Sequence, residues 1–121
     1  MKMLVMVLIL GILALSVPDA YALNGRKTVT TAGTAVALVS RSTPFTSALI
    51  CPETDNTGLI AVSYNESPVA AEGTQEGAIL TGDAVCASIT FDRERGDLAL
   101  IQLDSTVNGD GVTYEYINEK R

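Results

Sequence analysis

The sequence predicts an all-β domain, a single antiparallel β-sandwich of eight strands, preceded by a hydrophobic helix at the N-terminus. Three observations lead there. Beyond residue 22 no segment keeps helical periodicity for three turns. Short runs of β-branched and apolar residues recur instead between clusters of Gly, Pro, Asn and Asp. Several of these runs alternate with period two, which buries one face of a strand and suits two sheets packed face to face.

The helix comes first. Met1-Lys2 is followed by residues 3–15 without one polar side chain, then by Ser-Val-Pro-Asp-Ala-Tyr-Ala. A positive start, a 13-residue apolar stretch and small residues at Ala20 and Ala22 are the three parts of a secretory leader. The stretch is short for a bilayer span, which usually takes ~20 residues. Residues 1–22 therefore read as a signal peptide cut between Ala22 and Leu23, or, uncleaved, as a hydrophobic anchor. Residues 23–121 form the sandwich domain.

Eight strands are expected, over residues 27–31, 34–40, 46–52, 58–64, 78–81, 84–91, 98–103 and 112–117. Ala32-Gly33 breaks the chain before the second. Asp55-Asn56-Thr57-Gly58 turns it between the third and fourth. Residues 65–77, with Pro68 and Gly73, are the longest connection and are expected to cross between sheets. Asn108-Gly109-Asp110-Gly111 tolerates positive φ twice over, a tight-turn signal before the last strand. Val36, Leu38, Ile60, Val62, Ile89, Phe91, Ile101, Val112 and Tyr114 are the expected core. The arrangement that fits is jelly-roll-like.

Ninety-nine residues remain after the leader, enough for one domain and one core. Without Lys2 and Asp19 the domain keeps seven basic and thirteen acidic residues, net −6. That balance opposes binding to nucleic acid or to anionic lipid, so membrane contact is expected only through an uncleaved leader. The absence of histidine removes the commonest general base and the commonest transition-metal ligand.

Cys51 and Cys86 are the only cysteines. In an oxidising compartment they permit one bridge, which would contribute ~3–4 kcal/mol on the chain-entropy model. Alternation puts Cys86 with Ser88 and Thr90, opposite Val85, Ala87, Ile89 and Phe91. It does not settle where Cys51 faces. The other reading is two small thiols that fill strand positions.

Candidate chemistry is thin. Arg95-Gly96-Asp97 is the tripeptide integrins read, but turns favour Gly and Asp anyway, and the solvated charged turn is the reading taken. Glu53, Asp55 and the backbone near Gly58, or Asp104, Asn108 and Asp110, could offer oxygens to calcium; neither set has the spacing of a calcium loop. Asn65-Glu66-Ser67 fits the glycosylation sequon with Pro68 after it. A serine nucleophile would have only Lys27 or Lys120 as base. No catalytic, cofactor-binding or metal-binding residue is assigned, no cofactor is expected, and an enzyme is not expected.

Residues 27–117 resemble the small β-sandwich virion proteins encoded among the structural genes of tailed bacteriophages. The likeness runs through Gly33-Thr34-Ala35-Val36-Ala37-Leu38, Ser42-Thr43-Pro44 and Asn56-Thr57-Gly58-Leu59-Ile60-Ala61-Val62. It continues through Asp97-Leu98-Ala99-Leu100-Ile101 and ends on Val107-Asn108-Gly109-Asp110-Gly111-Val112-Thr113-Tyr114-Glu115-Tyr116. The resemblance implies a decoration, fibre-base or tail component acting by protein–protein contact, with other virion subunits as partners, and it carries no catalytic residues. Symmetric assembly would cover the exposed strands, so a homo-oligomer is expected. The alternative is an exported monomeric module that recognises a surface glycan or host protein through its loops. Localisation is accordingly exported, periplasmic or extracellular, or in the virion.

Overall fold

The computed structural model describes residues 22–81 and 85–119. The expected N-terminal helix lies outside the described residues, as does Ala84, the first residue of the sixth expected strand. The described chain is all-β. Its strands are β1 (Ala22–Thr28), β2 (Val36–Ala37), β3 (Pro44–Phe45), β4 (Ser47–Pro52), β5 (Ile60–Tyr64), β6 (Ala78–Leu80), β7 (Ala87–Thr90), β8 (Gly96–Asp97), β9 (Ile101–Ser105) and β10 (Gly111–Ile117). One 3-10 turn, Leu98–Leu100, is the sole helical piece among the described residues. No helix among them is long and apolar enough to cross a membrane.

Every ladder is antiparallel. The first sheet runs β1-β10-β4-β7, the second β2-β9-β5-β6, and β3-β8 form a two-stranded ribbon. The pairing has a simple origin. β1 pairs β10, β2 pairs β9, β3 pairs β8, β4 pairs β7 and β5 pairs β6, and paired residue numbers add to between 137 and 141 throughout. The domain is thus one long hairpin, its tip near residue 70, rolled until β10 meets β4 and β9 meets β5. Rolling lets both apolar faces bury against each other in a β-sandwich-like body.

The inward positions follow the alternation. Ala48 and Ile50 of β4 and Val112 of β10 face Ile60 and Val62 of β5, Leu80 of β6, and Ile101 and Leu103 of β9. All nine expected core residues lie in this cluster. Leu38, Ile60, Val62, Ile101 and Val112 are buried, while Val36, Ile89, Phe91 and Tyr114 pack against it partly buried. Phe45, fully buried, closes one end. It meets Phe91 and Tyr64 edge to face, with centroids 5.6 and 6.4 Å away. Gly96 admits this packing, since a β-carbon there would strike the Phe45 and Phe91 rings.

Several expected elements need correction. The strand expected over 98–103 starts at Ile101, because the Asp97 carboxylate accepts the Ala99 amide at 2.9 Å and caps a 3-10 turn ahead of it. The run 27–31 starts earlier, at Ala22, and ends at Thr28, where Val29 turns inward and donates to Asp110. The run 34–40 pairs only at Val36–Ala37. The connection 65–77 does not cross between sheets. It joins β5 to β6, neighbours in the second sheet, and folds back over that sheet's outer surface.

Candidate interaction surface

Three aspartates organise the connections around the sandwich. Asp97 accepts the Ser42 hydroxyl at 2.6 Å and the Thr43 and Ala99 amides at 2.8 and 2.9 Å. These donors hold its carboxyl below the usual carboxylate range, the Ser42 hydroxyl contributing most. Asp104, buried on the outer side of β9, accepts Gly33 N at 3.0 Å and Ala70 N at 2.9 Å. It thereby ties the 31–34 turn and the 65–77 loop to the second sheet. Asp110, also buried, accepts Thr57 N and Gly58 N, the latter at 2.7 Å. Asn56 completes that corner, since its side chain donates to Gly111 O and accepts from Gly111 N.

These contacts decide several readings from the sequence. In Arg95-Gly96-Asp97 the glycine is buried in β8 and the carboxylate is filled by three donors, so the tripeptide is not presented to a receptor. Asp104 and Asp110 spend their oxygens on backbone amides, and the Asn108 side-chain oxygen accepts Ala32 N at 2.7 Å. Glu53 is held by Arg26 in a two-point ion pair at 3.2 and 2.9 Å. That partner raises the Arg26 guanidinium above its ordinary value. No group of three or more His, Cys, Asp or Glu among the described residues is placed to hold a metal ion. Asn65 is exposed at φ 58°. Lys27 sits half-buried on β1, while Lys120 lies outside the described residues.

Cys51 and Cys86 are joined by a disulfide. The β4–β7 register, taken one step past Ile50↔Ala87, sets the two cysteines opposite each other. Their Cα atoms lie 4.3 Å apart, the close spacing of a pair without mutual backbone hydrogen bonds. Because Ala48, Ile50 and Pro52 point inward, Cys51 points outward beside Leu49 and Ser47. Both cysteines thus stand on the outer face of the first sheet.

Among the described residues, no loop comparable to residues 65–77 is tied to that outer face. It presents Asn24 and Arg26 of β1, Thr113 and Glu115 of β10, Leu49 of β4, and Ser88 and Thr90 of β7. Open clefts mark it, and two of them share Arg26 and Thr113. One, of about 390 Å3, is completed by Pro52, Glu53, Thr54 and Asp55. The other, of about 300 Å3, is completed by Asn24, Gly25, Tyr114 and Glu115. Neither is the enclosed, mostly apolar cavity that small ligands favour. Tyr114 leans inward over Gly25, and burial pushes its phenol above the ordinary value. Of the strand residues this face presents, all but Leu49 and the two cysteines are polar.

Sequence reasoning missed the aspartate anchors as such. Asp104 carried a signal, an acidic residue directly after the core residue Leu103 in an apolar run, on the face away from the core. The chain matches no known family model, no curated protein and no solved structure.

Proposed function

We propose that the chain is a non-enzymatic structural subunit of a phage-like particle, a jelly-roll domain that works by contact with other virion subunits. The observation that carries this reading is the strand order. Counting the eight sheet strands consecutively, without the β3-β8 ribbon, the sheets run 1-8-3-6 and 2-7-4-5. That is the winding of a jelly roll, an architecture used by viral capsid and lectin domains. Support is at the level of fold. Cleavage after Ala22 would leave six of the seven residues of β1 in the domain.

A second reading, an exported monomeric binding module, draws on the disulfide, which belongs to an oxidising compartment. The two separate on one measurement. Particles purified from the native host are digested and their peptides counted by mass spectrometry. A structural subunit appears in fixed, repeated stoichiometry with the other virion proteins. Its absence from particles, with the protein free in the periplasm or medium as a monomer, overturns the first reading in favour of the second.

A further inference from the structure

We infer that the outer edge of β7 is a docking strand for a second copy of this chain, paired antiparallel about a two-fold axis at Ile89. The inference deepens the structural-subunit reading and rests on it for its purpose.

The two four-stranded sheets have four edges between them, and three are protected. In the second sheet β2 and β6 are only two and three residues long. In the first sheet β1 carries Arg26 and, on its inward side, Lys27. Short edge strands and charges, inward-pointing ones included, are how proteins blunt such edges. β7, four residues long, has neither charge nor proline between Val85 and Phe91, and among the described residues it is hydrogen-bonded to β4 alone.

The backbone groups it leaves open follow from the ladder. Glu53 N donates to Gly111 O, so the odd-numbered residues of β4 bond to β10 and the even-numbered ones to β7. Phe91 N donates to Thr46 O in step with this, which assigns Ala87 and Ile89 to the β4 ladder. Ser88 and Thr90 therefore aim N–H and C=O away from the sheet. The strand is tied to β4 at both ends, by the Cys51–Cys86 bridge and by the Ser47–Thr90 hydroxyl pair at 3.2 Å.

The occupant is a second copy for two reasons. Ser88 and Thr90 map onto each other under a two-fold axis through Ile89, so each copy offers the other two matched pairs and four backbone hydrogen bonds. The chain also carries net charge −6, and two copies repel wherever their charged surfaces meet. The uncharged β7 edge is a seam where no like charges are brought together. Pairing there makes one continuous sheet across both copies and leaves the rest of the outer face open.

The test is sedimentation equilibrium of the chain recovered after expression with its own N-terminal segment, with Ser88→Lys, Ser88→Pro and Asn24→Lys beside it. Ser88→Pro removes an N–H that the β4 ladder does not use, and proline is tolerated on an edge strand. Circular dichroism and a thiol assay check that each variant keeps its fold and its bridge. The expected result is a dimer whose dissociation constant rises at least about tenfold in both Ser88 variants and is unchanged in Asn24→Lys. A wild-type chain that stays monomeric at all concentrations, or a dimer insensitive to both Ser88 variants, overturns the inference. If the dimer depends on Ser88 but the chain is absent from particles, the interface stands and the virion reading falls. If the chain is present in particles and its association is indifferent to Ser88, the reverse holds.

Discussion

Asp110 shows how much one side chain can organise. It is buried, takes the amides of Thr57 and Gly58, and so holds the corner where the chain leaves the first sheet for the second. Truncation in Asp110→Ala leaves those amides unpaired, at a cost of about 1–3 kcal/mol, read as a lower urea midpoint with an unchanged slope. Asp97 adds a pH dependence, because the Ser42 hydroxyl and the Thr43 and Ala99 amides lower its pKa. Its folded pKa lies below the ordinary 3.8, so its contribution is complete above that value and is lost as pH falls through the lowered one. Wild type is therefore more stable than Asp97→Asn at neutral pH, and the gap narrows progressively below pH 3.8. Urea melts of both proteins at several pH values between neutral and 2 check this; a gap constant across the range contradicts it. From the sequence Asp97 read as the end of a solvated charged turn, because its partners Ser42 and Thr43 lie more than fifty positions away.

At the scale of elements, alternation was the legible signal and pairing was not. β4, β5, β7 and β10 fall within or nearly on the runs expected for them, because large apolar residues alternate with small or polar ones along each, even in β5, where both faces are covered. β3 and β8 were invisible, since two residues cannot show a period and both include residues that favour turns, Pro44 in one and Gly96-Asp97 in the other. The 65–77 connection misled for a related reason. Its length suggested a crossing, whereas it is the tip of the rolled hairpin, laid on the second sheet by Asp104. The disulfide belongs at this scale because it fastens an edge strand to its neighbour. With a separation of 35 residues the chain-entropy model gives about 3–4 kcal/mol, so the Cys51→Ala, Cys86→Ala double variant should lose roughly that much. Denaturant melts of the variant and of wild type with and without reductant measure it, and reduced wild type should match the variant.

For the whole molecule, fold class and core were readable because they depend on local pattern, while the interaction surface depended on which strands the roll brings to an edge. The N-terminal segment leaves its own mark at this scale. We predict that the chain isolated from its host begins at Leu23, which intact mass spectrometry decides; a chain still starting at Met1 makes residues 1–22 an anchor. The cross-strand bridge has one more consequence. A cytoplasmic pool of reduced glutathione keeps such thiols apart, whereas the periplasm closes them. The same fold then exists in a weaker and a stronger version, differing only by two electrons and two protons. On the proposed virion reading, a particle of dithiol chains has stayed in a reducing compartment, whereas bridged chains have met an oxidising one, before assembly or after it. The oxidation state of Cys51 and Cys86, trapped by alkylation at harvest, is a chemical postmark of the compartments the chain has passed through.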